Sequence, residues 1–192
     1  MSQRPRILAS FVHGTLEAID CMDGDLGRAV RDALKPETRD AIENAWAASW
    51  LPIGHDVELT EAFFALAGRE RACRAMRSNL ASTFQKPILR PLVEGALRIF
   101  GSHDPRKLLR WAPRAWSLLF RNVGEMSAEI GLDRATVELL DLPPEVADSR
   151  EYLLGTAAAI SAIYDLTGFE GTCELLEHGD GKACFELHWQ VR

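Results

Sequence analysis

The sharpest pattern along the chain is an alternation near its C-terminal end. Phe169, Cys173, Leu175, Ala183, Phe185, Leu187 and Trp189 hold odd positions, whereas Glu174, His178, Lys182, Glu186 and His188 hold even ones. A period of two marks strands with one buried face. Gly179-Asp180-Gly181 between the two runs supplies turn residues, so the segment predicts a hairpin. With a three-residue loop, both odd sets share one face, and Cys173 lies opposite Leu187 and Cys184 opposite Leu176. An earlier hairpin follows from Met126, Ala128 and Ile130 alternating with polar residues, then Ala135, Val137 and Leu139 doing the same, with a turn near Leu132-Asp133. Between the hairpins, Pro143-Pro144 stops a strand. Asp148 with Glu151 makes a capping-box-like start, and Leu153, Ala157, Ile160 and Tyr164 form a helical face ended at Gly168. The second half thus reads strand, strand, helix, strand, strand.

Before Asn122 the patterns are mostly helical. Ile7, Phe11 and Val12 favour a strand over Arg6–His13. A short helix is expected over Asp25–Leu34, and another over Glu37–Trp50 with Pro36 at its first position. Leu51-Pro52-Ile53-Gly54 reads as a break. Further helices are expected over Glu58–Ala67, capped by Gly68, over Glu70–Phe84, and over Pro87–Phe100. Asp104 as cap and Pro105 in the first turn open one more, whose core face would carry Leu108, Leu109, Ala112, Trp116 and Leu119. Pro113 must kink or break it, because proline removes a hydrogen bond and clashes with the preceding turn. The expected architecture is α+β: a helical part over 1–121 packed on an antiparallel sheet formed by 122–192, in a single domain.

Composition adds a few exclusions. The 192 residues, 47% hydrophobic and 26% charged, suit one globular domain. A formal charge of −6 argues against broad, charge-driven nucleic-acid binding. The apolar run Ile7–Val12 is too short for a signal-peptide core, and no stretch is long enough to span a membrane. Cys21, Cys73, Cys173 and Cys184 form no CxxC pair and no zinc-finger spacing. A cytoplasmic protein with reduced thiols is the expectation.

Candidate chemistry is sparse. The sequence has no Gly-x-Ser-x-Gly elbow, no P-loop, no Gly-x-Gly-x-x-Gly after a strand and no HExxH. The glycines around Asp180 join two strands, whereas a phosphate cradle opens a helix. Cys173 and Cys184 sit on opposite faces of the predicted hairpin, which excludes a disulfide and makes them a small core residue and a half-exposed thiol. His13, His55, His103, His178 and His188 are scattered and read as structural or solvent-facing. Asp104–Arg121 concentrates Arg106, Lys107, Arg110, Arg114 and Arg121 among Trp111, Trp116 and Phe120. It is either a patch for an anionic ligand, lipid surface or acidic partner, or a solvated face beside an aromatic core stripe.

The closing hairpin also carries a resemblance. Thr167-Gly168, Cys173-Glu174-Leu175-Leu176 and Gly179-Asp180-Gly181-Lys182-Ala183-Cys184-Phe185-Glu186 resemble the end of the 4-vinyl-reductase-type domain. That domain is related to haem–nitric-oxide sensor domains and to TRAPP vesicle-tethering subunits. A second resemblance, over about Arg69–Trp189, is to an uncharacterised paralogous family expanded in myxobacteria. Arg106-Lys107-Leu108-Leu109-Arg110, Gly124-Glu125 and Asp141-Leu142-Pro143-Pro144-Glu145 carry it. The resemblance implies a superfamily that binds small apolar ligands or assembles with other proteins, built as a helical part followed by strand-strand-helix-strand-strand. The haem sensors use a proximal His with a Tyr-x-Ser-x-Arg motif; Tyr152 and Tyr164 are the only tyrosines here and neither begins one. Haem is therefore disfavoured, and no cofactor or metal site is expected.

These observations favour binding over catalysis. The leading expectation is a sensory or ligand-binding domain for a small apolar molecule. Its pocket would lie between helices and sheet, with Trp111, Trp116, Phe120 and Phe185 as lining and Arg110 and Arg114 beside it. A homodimeric interaction module is the alternative, and a tetrapyrrole-related enzyme accessory factor is the third reading.

Overall fold

Apolar spacing in the first twenty residues changes period after Leu8. The computed structural model describes residues 4–22, 25–83 and 104–190. In it, strand β1 (Arg6–Leu8) gives way at once to helix α1 (Ala9–Asp20). The expected strand over Arg6–His13 is therefore mostly helix. Ala9, Val12, Leu16 and Ile19 are buried at helical spacing, and that longer apolar face outweighs the weak strand signal. β1 is the centre of a three-stranded antiparallel sheet, ordered β2-β1-β3, with β2 (Trp50–Pro52) and β3 (Phe120–Arg121). Ile7 pairs with Leu51 on one side and Phe120 on the other. Across this sheet the Arg121 guanidinium lies 3.9 Å from the centre of the Trp50 ring. The segment expected to be a plain break is thus an edge strand.

The helical layer continues with α2 (Leu26–Ala33), α3 (Pro36–Glu43), α4 (Ile53–Ala67) and α5 (Arg69–Thr83). Pro36 holds the first turn and Gly68 caps with φ 76°, as expected. Two boundaries differ. The helix expected to reach Trp50 ends at Glu43, because Trp50 is drawn into β2. The helix expected from Glu58 starts at Ile53, directly after the strand. The helix expected over Pro87–Phe100 lies outside the described residues.

Asp104 caps α6 (Pro105–Leu109) by accepting from the Arg106 backbone N–H at 2.9 Å. The chain then breaks at Arg110–Trp111 and resumes as α7 (Ala112–Leu119). Pro113 stands in the first turn of α7, where a missing N–H costs no helical bond. The break that proline demands is present, and Arg106 and Arg114 consequently sit on different helices. Short α8 (Pro144–Ala147) leads to α9 (Arg150–Ile160) and α10 (Ala162–Thr167), which Gly168 ends at φ 73°. The cap of α9 is Ser149, one residue later than Asp148; its Oγ accepts from the Tyr152 N–H and donates to Glu61 Oε1 at 2.6 Å.

The second sheet is antiparallel, ordered β4-β5-β7-β6, from β4 (Glu125–Ile130), β5 (Arg134–Leu140), β6 (Gly171–Gly179) and β7 (Lys182–Trp189). Both expected hairpins are present. Their apolar positions line up in rows across the sheet, such as Ala128–Val137–Phe185–Leu175. The register differs in one respect. Asp180 and Gly181, at φ 49° and 73°, form a two-residue turn, and a bulge at Leu176 absorbs the extra residue. Cys173 faces Leu187 as expected, but Cys184 faces Glu177, and Leu176 is turned out to solvent. The buried face meets the helices through α9 and α10. The Tyr164 ring covers Gly171, where a Cβ would enter the ring, and its hydroxyl donates to the Thr172 carbonyl at 2.7 Å.

Gly124 introduces β4 at φ 76° with its Cα against the Leu140 carbonyl. Gly124→Ala is expected to cost roughly 2 kcal/mol or more, since both the φ and the contact oppose a side chain. Gly54→Ala, in the first turn of α4 with open space around it, is expected to be neutral or stabilising by up to about 1 kcal/mol. Urea unfolding of the two variants checks the contrast.

Candidate functional site

The faces that α1, α4, α5, α9 and α10 turn inward do not close completely. They leave a cavity of about 170 Å³ roofed by α6, α7 and Phe120, with Met126 of β4 at its edge. Its wall is overwhelmingly apolar and aromatic: Phe11, Met76, Leu109, Trp111, Trp116, Phe120, Ala159 and Ile163 all contribute. The volume resembles that of an engineered apolar cavity of about 150 Å³ that stays dry and admits benzene or xenon. Trp116 and Phe120 are stacked with centroids 3.9 Å apart, and Phe11 meets Phe120 edge-on at 6.3 Å. The Trp116 indole N–H is buried and has no acceptor among the described residues. Such a group costs roughly 1–3 kcal/mol.

The wall carries one carboxyl group. On α4 the inward positions are Ile53, Asp56, Val57, Thr60, Phe63 and Phe64. A carboxyl group therefore occupies a place where helical spacing calls for an apolar residue. Asp56 is only 3% exposed, and its Oδ2 accepts from the Tyr152 hydroxyl of α9 at 2.9 Å. Burial pushes the Asp56 carboxyl up to about 7, with the Tyr152 hydrogen bond opposing. Burial, and then the neighbouring Asp56, push the Tyr152 hydroxyl well above its ordinary value. Of the threonines in the wall, Thr15 donates to the Phe11 carbonyl and accepts from Asn79, and Thr156 donates to the Tyr152 carbonyl.

The residues singled out from the sequence divide. Trp111, Trp116 and Phe120 come together in the roof and wall. Arg110 and Arg114 are exposed, and Arg114 lies over the outer face of Trp111 at 5.2 Å. Arg106 folds back onto Asp104 at 2.6 Å. Phe185 is fully buried in the sheet face, packed in the core away from the lining. Helices bound the cavity on most sides, so it lies within the helical layer more than between that layer and the sheet. Sequence reasoning passed over Asp56 and Tyr152. The signal for Asp56 was its spacing from Ile53 and Thr60, hidden by reading Leu51–Gly54 as a break and starting the helix at Glu58.

Histidines and cysteines serve the fold. His13 bonds the Ile42 carbonyl at 2.9 Å, His55 the Thr38 hydroxyl at 2.9 Å, and His178 the Ala147 carbonyl at 3.1 Å. His188 pairs with Glu186 on the exposed face, and His103 lies outside the described residues. Burial, with some help from Glu174, pushes the Cys173 thiol up to about 12, which leaves it inert at neutral pH. Among the described residues no helix is long and apolar enough to cross a membrane.

No family model matches the sequence, and no curated protein matches it. Solved structures do. An unliganded Fe(II) H-NOX protein from K. algicida matches with a TM-score of 0.64 at 7% identity, over 97% of this chain and 98% of that one. A mutant H-NOX of T. tengcongensis gives 0.62 at 12% identity, over 96% and 98%. An oxygen-binding H-NOX domain related to soluble guanylate cyclases, in its oxygen complex, gives 0.59 at 13%, over 96% of each chain. The chain has the α+β fold of H-NOX domains along nearly its whole length.

A raised carboxyl makes stability depend on pH with a defined sign. Native Asp56 keeps its proton to about pH 7, whereas the unfolded chain releases it near pH 4. The proton's contribution to stability is complete below about pH 4 and is lost as pH rises through about 7. Asp56→Asn keeps an acceptor for Tyr152 and removes the titration. Between about pH 5 and pH 8 the wild type is expected to lose roughly 2 kcal/mol more than the variant in denaturant unfolding. Parallel pH curves would contradict this.

Proposed function

We propose that the protein is a non-catalytic small-molecule-binding sensory domain whose ligand occupies the cavity beneath α6 and α7. The observation that carries this reading is the cavity itself: an aromatic-lined, overwhelmingly apolar space with one carboxyl in its wall, in a fold shared with H-NOX domains. Evolved cores are packed without voids of this size, because unfilled volume forfeits dispersion contacts. A ligand here would touch α4, α5, α7 and α9 at once. Any change in its occupancy would therefore bear on how the short roof helices sit.

The fold raises haem as a candidate, and the lining does not fit it. Among the described residues no His, Cys, Lys or Arg borders the cavity, so the wall offers neither an imidazole or thiolate for iron nor a cation for the propionates. The Tyr152 hydroxyl is committed to Asp56. The cavity is also of a size for benzene, and a tetrapyrrole is several times larger. The same two facts weigh against a tetrapyrrole-handling accessory role. We read the ligand as a small, mainly apolar organic molecule.

Native mass spectrometry of the protein from its own cells is expected to show a retained small organic mass. Ala159→Phe, which fills the cavity from α9, is expected to abolish that mass and the saturable binding of toluene, with the melting temperature kept or raised. Ligand-free wild-type protein that also shows no saturable toluene binding would overturn the proposal.

A further inference from the structure

A buried carboxyl group ordinarily has a cation or several donors around it, because an unmatched charge in an apolar interior is costly. Asp56 has neither. Its one side-chain partner among the described residues is the Tyr152 hydroxyl on Oδ2. Among the described residues no Lys, Arg or His borders the cavity it faces. The hydroxyls of Thr15 and Thr156 in the same wall are turned to carbonyls of their own helices. The wall thus holds one carboxyl with a single described partner, and Trp116 and Phe120 contribute to the same cavity an aromatic surface that also favours positive charge.

We propose that the cavity takes a small amine, a molecule with a benzene-sized apolar body and one primary or secondary ammonium group seated on Asp56. The ammonium supplies the missing counter-charge and donates to the carboxylate, and the body fills the aromatic space. Tyr152 holds the second carboxylate oxygen and fixes the direction of the first. Burial, which holds the Asp56 proton to about pH 7 without ligand, would be offset by the ion pair, so the amine binds with the carboxyl ionised. This inference rests on the ligand-binding reading above and narrows its chemistry.

Three probes of one shape separate the two claims: benzylamine, benzyl alcohol and toluene, titrated by calorimetry into the full chain at pH 7.5. Benzylamine is expected to bind at least about tenfold more tightly than benzyl alcohol, since a charge-assisted hydrogen bond replaces a neutral one. Asp56→Asn is expected to bring that ratio to within about twofold. In the wild type, benzylamine and not toluene should move the Asp56 carboxyl-carbon NMR resonance, a readout that needs no variant to fold. If benzyl alcohol and toluene bind but benzylamine has no advantage, or keeps it in Asp56→Asn, the amine inference falls and the ligand cavity stands. If none of the three binds saturably to the wild type, both fall.

Discussion

The hydrogen bond between Asp56 and Tyr152 is the constraint around which the helical layer is arranged. It spans α4 and α9 inside an apolar wall, where neither group can be satisfied by solvent. Losing either partner would strand the other, so the two helices are held at one separation. Gly155, one turn further along α9, packs beside Thr60 and Phe64 of α4 and Met76 of α5, where a Cβ would make ordinary van der Waals contact. The Ser149 cap at the start of α9 adds a second tie to α4 through Glu61. With α4, α5 and α9 fixed in this way, the space above them is left to α6 and α7. Two short helices bent at Arg110–Trp111 roof that space without filling it.

The sheet half was legible because its signal is local and repetitive. Alternation, paired prolines and a Gly-Asp-Gly turn fixed both hairpins and the helix between them before any packing was considered. What escaped there was the bulge at Leu176, which depends on whether the turn uses two residues or three. The helical half was read less well at points where a short strand interrupts it. β1 and β2 are three residues each, too short for alternation to register, and they exist because each pairs with a distant partner. Misplacing them cost the start of α1 and the start of α4. With α4 begun at Glu58 in the reading, Asp56 fell in a loop, where an aspartate attracts no notice. Tyr152 was missed for a related reason: the helical face was traced through Leu153, and the buried side of α9 is wider than that one stripe.

Fold and chemistry part company in this protein. The architecture is that of H-NOX domains, at 7% to 13% identity among the structures compared. The cavity wall of the described residues is nevertheless built from indole, phenyl and aliphatic groups around a lone carboxyl. A shared scaffold does not fix what it holds; the side chains lining the interior decide that. Here they are aromatic and aliphatic groups with one carboxyl, and the proposal of a small, mainly apolar ligand follows from them. None of the basic residues that looked like a ligand patch lines the cavity; Arg106 pairs with Asp104, Arg114 lies over Trp111 and Arg121 over Trp50.

The most direct test of this account is a crystal structure of the protein under xenon pressure. Xenon enters dry apolar cavities and avoids well-packed cores. The account predicts a xenon atom beneath α7, in van der Waals contact with Trp116 and Ala159 and beside the Asp56–Tyr152 pair. Side chains filling that space, with no xenon bound, would contradict it.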